Sequence, residues 1–187
     1  PWTAGNDVDY GPLVTAEAKE RVLGLVNSGV EQGAELVVDG RDFQLQGYEN
    51  GFFVGPHLFD RVTPDMDIYQ QEIFGPVLSQ VRAGSYEEAL KLAMDHEMGN
   101  GTAIFTRDGD AARNFTNRVN VGMVGVNVPI PVPLAYHTFG GWKKSMFGDL
   151  NQHGPDAFKF YTRTKTVTAR WPSGLKEGGE FHFKAMD

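Results

Sequence analysis

Apolar segments and helical patterns alternate through the middle third of the chain, and this alternation constrains the fold more than any other feature. Three segments are short, apolar and β-branched, which predicts strands, and they cover residues 76–81, 102–106 and 122–128. Between them, Ser85 and Glu88 match a capping box that predicts one helix, and apolar spacing predicts a second over residues 110–118. Strands joined through helices are typical of parallel pairing, so we predict an α/β fold with a parallel, doubly wound sheet.

Both ends of the chain carry further signals of regular structure. Thr15 can cap a helix that Gly33 ends, because apolar residues recur between them at helical spacing. Residues 35–38 predict a short strand that stops at an Asp-Gly turn, and the polar stretch 41–50 predicts a hairpin or loop. Residues 162–171 alternate threonines with charged side chains, which predicts another strand.

The overall charge and hydropathy exclude several kinds of partner. A formal net charge of −7 and a pI near 5.2 would repel a phosphate backbone, so we expect no nucleic-acid partner. No apolar run approaches the roughly 20 residues of a membrane helix, so we expect no membrane partner. The first residues show neither a signal peptide nor an initiator Met, so we expect a cytoplasmic location and a piece of a longer protein.

The chain contains no cysteine, which excludes a cysteine nucleophile, disulfides and thiolate metal sites from these residues. No standard catalytic motif is present, and the five histidines are scattered without ligand-like spacing, so we predict no metal site. Gly122 and Gly125 lie within a predicted strand, where glycine indicates close approach of a backbone or a ligand, or simple packing. The proline-stiffened loop 129–139 follows that strand and could form a pocket wall. These features alone define no reaction.

Three motifs give the chain a strong resemblance to the aldehyde dehydrogenase superfamily. They are Tyr10-Gly-Pro-Leu-Val14, Glu72-Ile-Phe-Gly-Pro-Val-Leu78 and Phe139-Gly-Gly-Trp-Lys-Lys-Ser145. Their order and spacing also match the superfamily over essentially the whole chain. The triple-proline loop that starts at Asn127, followed by Phe147-Gly-Asp149, is similar to the methylmalonate-semialdehyde branch.

The resemblance implies a cofactor and a reaction. In such enzymes a cysteine thiolate attacks the aldehyde, and hydride passes to NAD. In this branch the acyl group then passes to coenzyme A, with loss of carbon dioxide. The expected ligands are therefore NAD, an aldehyde and coenzyme A. The nucleophile and most of the NAD-binding domain belong to a part of the family's sequence that this chain lacks. We therefore expect the chain alone to be inactive and to contribute no catalytic residue.

The resemblance also implies roles for three residues. Glu72 would bind the nicotinamide ribose hydroxyls, although a loop carboxylate satisfied by nearby amides is the alternative. Phe74 would lie against the nicotinamide, or fill the core. Phe139 would line the substrate tunnel, or serve packing alone.

The expected domain organisation follows the same resemblance. Residues 1–160 would form an incomplete portion of the catalytic domain, and residues 161–187 an oligomerisation strand with a tail. Such a strand adds to the sheet of a neighbouring subunit, which predicts a homo-oligomer. The alternative is an ordinary edge strand protected by Arg163 and Lys165.

Three functional hypotheses remain open at this stage. The chain is part of a CoA-acylating dehydrogenase, part of a hydrolytic aldehyde dehydrogenase, or a non-enzymatic module for oligomerisation or binding. Formation of acyl-CoA by the full-length protein distinguishes the first two hypotheses. The size of the native polypeptide distinguishes both from the third.

Overall fold

The computed structural model describes residues 9–171. Their elements are, in chain order, α1 (Ala16–Glu31), β1 (Glu35–Val38), β2 (His57–Asp60), α2 (Asp67–Gln70), β3 (Val77–Ser79), α3 (Tyr86–Asp95), β4 (Met98–Gly99), β5 (Gly101–Ile104), α4 (Gly109–Arg118), β6 (Met123–Val126), β7 (Trp142–Lys143), a 3₁₀ turn (Gly154–Asp156) and α5 (Ala157–Tyr161). They fall into two units. The first unit comprises the residues up to Glu97 together with Thr106–Asn120. The second unit comprises Met98–Phe105 together with the residues from Val121 onward.

Helix α1 and a mixed sheet form the core of the first unit. The Thr15 hydroxyl accepts the amide of Ala18, and Gly33 adopts a φ of +95° just beyond the helix end, as the sequence predicts. The sheet has the order β1-β2-β3, with β1 antiparallel and β3 parallel to β2. Val22, Val26 and Phe59 are fully buried in this core. Burial of each such side chain contributes about 1.5–3 kcal/mol.

Helices α3 and α4 complete the first unit. Ser85 caps α3 by accepting the amide of Glu88, which confirms the predicted helix start. Arg118 donates to both carboxylate oxygens of Glu87 at 2.7 and 2.6 Å, which lowers the pKa of that carboxyl. Glu87 thus serves an exposed ion pair between helices, which contributes little to stability.

Two small sheets define the second unit. Strands β5 and β6 pair in parallel, with Gly101 opposite Met123 and Ile104 opposite Val126. Strands β4 and β7 pair antiparallel, so the end of the Phe139 motif lies beside Gly99. The proline-rich loop lies between β6 and β7, and it contains no regular element.

The chain is mixed α/β, but the strands are arranged differently from the prediction. The predicted strands form as β3, β5 and β6, yet β3 pairs with β2, whereas β5 and β6 pair in a separate sheet. The alternation of elements reveals strands but not their neighbours, and β2 lies outside every predicted strand. A single doubly wound sheet is not formed by the described residues. Residues 41–50 form turns, so the loop alternative is the correct one there.

The predicted oligomerisation strand does not appear as a strand in the described chain. Residues 162–171 are exposed and take part in no ladder. The tail beyond residue 171 lies outside the described residues. A strand that pairs with a second subunit has its ladder partner in that subunit, so the arm stays a prediction. Within residues 9–171, no helix combines the length and apolar character needed to cross a membrane.

His57 makes the first unit sensitive to acid. Its side chain is inaccessible in β2, with Nε2 3.9 Å from an Asp39 oxygen, and Arg41 binds the same carboxylate. Burial lowers the pKa of His57 from its usual 6.5, and Asp39 opposes this shift only in part. As pH falls below 6.5 the unfolded chain takes up the proton first, so the free energy of unfolding decreases.

We expect His57→Leu to flatten this pH dependence. Leucine fills a similar volume and cannot be protonated, so the loss of stability below the usual histidine pKa should shrink. Urea unfolding of both proteins on either side of that pKa measures the effect. An equal loss of stability in the two proteins would assign the pH dependence to other groups.

Candidate functional site

Glu72 and Phe74 lie on one loop between α2 and β3 (residues 71–76). We call it the cofactor loop after the role that the family resemblance implies for these two residues. The loop alternates in burial, because Ile73 enters the core whereas Glu72 and Phe74 are exposed on either side of it. Among residues 9–171, no hydrogen bond or ion pair engages the Glu72 carboxylate. In this part of the chain no amide satisfies the carboxylate, and the role of Glu72 stays a prediction.

The backbone of the cofactor loop is held by the core. A Cβ added to Gly75 would lie 2.8 Å from a Val22 methyl group, so the loop backbone rests directly on α1. The Pro76 carbonyl accepts the amide of His57 at 2.8 Å, which joins the loop to β2. The loop thus combines a fixed backbone with side chains that are open to solvent.

Phe74 has an unusual backbone conformation for its position. Its φ is +54°, in the left-handed region, and 76% of the residue is exposed. This conformation costs a non-glycine residue roughly 1–2 kcal/mol and persists only where neighbouring contacts enforce it. An aromatic side chain with this exposure does not fill the core of its unit. Phe74 therefore presents its ring at the surface of the first unit.

Phe139 borders a cavity of about 440 Å³ within the second unit. Its ring stacks on the imidazole of His153, with the centroids 4.3 Å apart and an interplanar angle of 25°. Met146 and Phe160 contribute apolar walls, and Asn100 contributes a polar group. The cavity can hold a small molecule with both apolar and polar parts.

The Phe139 motif is fixed by close backbone contacts. A Cβ on Gly122 would lie 2.1 Å from the Gly140 carbonyl oxygen, and one on Gly125 would lie 2.5 Å from the Val128 oxygen. Both glycines therefore permit close backbone approach, one of the alternatives that the sequence allowed. The Ser145 hydroxyl accepts the Gly99 amide at 3.0 Å and ties the end of the motif to β4.

The three predicted residues fall into two groups. Glu72 and Phe74 share one loop of the first unit, whereas Phe139 belongs to the second unit. No motif includes His153, so the sequence does not single it out, and only proximity in the folded chain reveals its stack on Phe139. Among residues 9–171, no three His, Asp or Glu side chains converge as a metal site.

Comparisons with known proteins agree with these motifs. The model of the aldehyde dehydrogenase family matches residues 3–167. The chain is 62% identical over 180 residues to malonate-semialdehyde dehydrogenase of Pseudomonas aeruginosa, covering 96% of the chain and 36% of that protein. It is 50% identical over 163 residues to the acylating, mitochondrial methylmalonate-semialdehyde/malonate-semialdehyde dehydrogenase of Bos taurus, covering 87% of the chain and 30% of that protein.

Solved structures show the same relationship. A Sinorhizobium meliloti protein assigned as a methylmalonate-semialdehyde dehydrogenase, in complex with NAD, is 73% identical with a TM-score of 0.84. That match covers 91% of this chain and 35% of the solved chain. The methylmalonate-semialdehyde dehydrogenase of Oceanimonas doudoroffii is 58% identical, with a TM-score of 0.82 over 89% of this chain and 34% of the solved one.

With a family model that matches 3–167 and relatives this similar, the chain belongs to the aldehyde dehydrogenase family. It spans about a third of the length of the relatives that it matches.

Proposed function

We propose that this chain is the C-terminal portion of an NAD-dependent, CoA-acylating dehydrogenase of malonate or methylmalonate semialdehyde. Residues 1–160 would form an incomplete portion of the catalytic domain, and residues 161–187 the oligomerisation strand and tail of a homo-oligomer. One observation carries the proposal: the family motif forms a loop with an anchored backbone and with exposed Glu72 and Phe74 side chains.

The cofactor loop fits NAD in its chemistry. The exposed carboxylate of Glu72 can accept both hydroxyl hydrogens of a ribose diol. The exposed ring of Phe74 offers an apolar face that would restrict the nicotinamide ring. When bound, NAD supplies the hydride acceptor that aldehyde oxidation requires. Glu72 and Phe74 would thus orient the cofactor without taking part in bond making.

Phe139 is proposed to contact the aldehyde. It borders the cavity of about 440 Å³ in the second unit, which Gly140 and Gly141 also line. The stack with His153 holds the Phe139 ring in one orientation, which a specific apolar contact requires.

The acylating reaction is proposed from the relatives together with the triple-proline loop. The chain is 49% identical over 165 residues to an acylating dehydrogenase of Arabidopsis thaliana and 50% identical over 163 residues to that of Bos taurus. The balanced reaction consumes one semialdehyde, one NAD⁺ and one coenzyme A, and it yields acyl-CoA, NADH and carbon dioxide. A hydrolytic dehydrogenase would instead release the free acid.

The product of the full-length dehydrogenase that contains this sequence tests the proposal. We expect acyl-CoA by mass spectrometry when malonate semialdehyde, NAD and coenzyme A are supplied together. Free acid as the main product in the presence of coenzyme A would favour the hydrolytic enzyme. An antibody against the chain gives a second test, because a native polypeptide of only 187 residues would favour the non-enzymatic module.

A further inference from the structure

Arg21 connects α1 to the cofactor loop. Its guanidinium donates through one terminal nitrogen to the Glu72 carbonyl at 3.0 Å and through the other to the Ile73 carbonyl at 2.5 Å. Two donors from one planar group therefore reach two consecutive carbonyl oxygens. Arginine suits this geometry because its donors form a rigid fork, whereas lysine offers a single charged centre.

These two hydrogen bonds fix the peptide planes on both sides of Ile73. The plane that contains the Glu72 carbonyl sets ψ of Glu72, and the plane that contains the Ile73 carbonyl sets φ of Phe74. The directions of the Glu72 and Phe74 side chains are determined by these torsions. The strained φ of Phe74, +54°, thus has a specific restraint beside it.

Helix α1 is a rigid support for this restraint. Val22, the next residue along the helix, is fully buried and lies against Gly75 at the other end of the loop. One turn of α1 therefore contacts the loop on both sides of Phe74. The Arg21 guanidinium binds the carbonyls that precede it, and the Val22 side chain packs against Gly75, which follows it. No other arginine or lysine lies between Ala16 and Glu31 except Lys19.

We propose that Arg21 is a positioning residue, which holds Glu72 and Phe74 in the orientation that binds the nicotinamide half of NAD. This inference rests on the proposed function of the cofactor loop. Arg21 would act entirely through the loop backbone, without contact to the cofactor or the aldehyde. Loss of its two hydrogen bonds would let the loop leave the strained conformation.

Arg21→Met in the full-length dehydrogenase tests the inference. We expect NAD binding, measured by fluorescence titration without aldehyde, to weaken roughly tenfold, because two charge-assisted hydrogen bonds to the loop are lost. Arg21→Lys should restore part of the affinity, since its single ammonium group can still donate to one of the two carbonyls. Amide hydrogen exchange of Val77, which donates to the Gly75 carbonyl at 2.7 Å, should accelerate by a similar factor in Arg21→Met.

Arg113→Met is the matched control, because it removes the same charge from an exposed position on α4. It should leave NAD affinity and loop exchange unchanged. Unchanged NAD affinity and loop exchange in Arg21→Met would overturn the inference. A loss of affinity with unchanged loop exchange would also overturn it.

Glu72→Ala separates failure of this inference from failure of the proposed function. If Glu72→Ala leaves NAD affinity intact, the proposed cofactor site is wrong. If Glu72→Ala weakens NAD binding and Arg21→Met does not, only the positioning role is wrong. Because Arg21 acts through the loop, the double variant should lose less affinity than the two single losses combined.

Discussion

Incubated with an aldehyde, NAD and coenzyme A, the 187-residue chain should form no NADH. Aldehyde oxidation of this type needs an activated thiolate and donors that stabilise the developing oxyanion. The chain has no cysteine, so its cofactor loop and its cavity can contribute binding surface only. The expected effect is complete loss of turnover, and absorbance of NADH measures it directly.

The full-length dehydrogenase provides the positive control in the same assay. NADH formation by that protein and none by the chain is the expected pair of results. Aldehyde-dependent NADH from the purified chain would mean that a group within these residues replaces the thiolate. That result would overturn the assignment of the missing chemistry to the rest of the protein.

Gly122→Ala should destabilise the second unit by about 1–3 kcal/mol, the usual cost of overpacking a close contact. The added Cβ would lie 2.1 Å from the Gly140 oxygen and 2.9 Å from the Gly141 Cα. These are backbone atoms, so no side-chain rotation can relieve the contact. The backbone of the Phe139 motif must shift, and the cavity beside it should change shape. Urea unfolding followed by tryptophan fluorescence gives the change in stability.

Gly101→Ala is the matched control on the neighbouring strand. There the added Cβ would meet its nearest atoms at 3.5 Å, an ordinary van der Waals distance. We expect its unfolding midpoint to stay close to that of the unsubstituted chain. Equal unfolding midpoints for Gly122→Ala and Gly101→Ala would contradict the prediction. They would show that the Gly140 backbone moves away from the added Cβ at little cost in stability.

Local signals in the sequence predict most helices of this chain correctly. Thr15 and Ser85 cap α1 and α3 because a hydroxyl accepts an amide three residues later, which a short sequence window contains. The predicted second helix of the middle third forms as α4. Gly122 was also informative from sequence alone, because glycine inside a strand indicates close approach.

The pairing of strands and the support of the site depend on contacts between distant residues. Arg21 lies 51 residues from Glu72 and 52 from Ile73, so no local pattern relates them. The partner of β3 is β2, whose strand character is hidden in a longer apolar segment. The motif resemblance identifies Glu72 and Phe74, but only the fold reveals what holds them.

In the cofactor loop, the groups that attach the loop to the core differ from the side chains that face solvent, and this has a consequence for protein engineering. Its attachment uses backbone carbonyls, Gly75 and the buried Ile73, while the exposed side chains of Glu72 and Phe74 contribute little to folding. If the loop binds NAD as proposed, substitution of Glu72 would change cofactor affinity with little effect on stability, whereas substitution of Phe74 would change both. A glycine in place of Phe74 would relieve the backbone strain while removing the aromatic face. The loop is thus a natural starting point for redesign of the proposed nicotinamide contact.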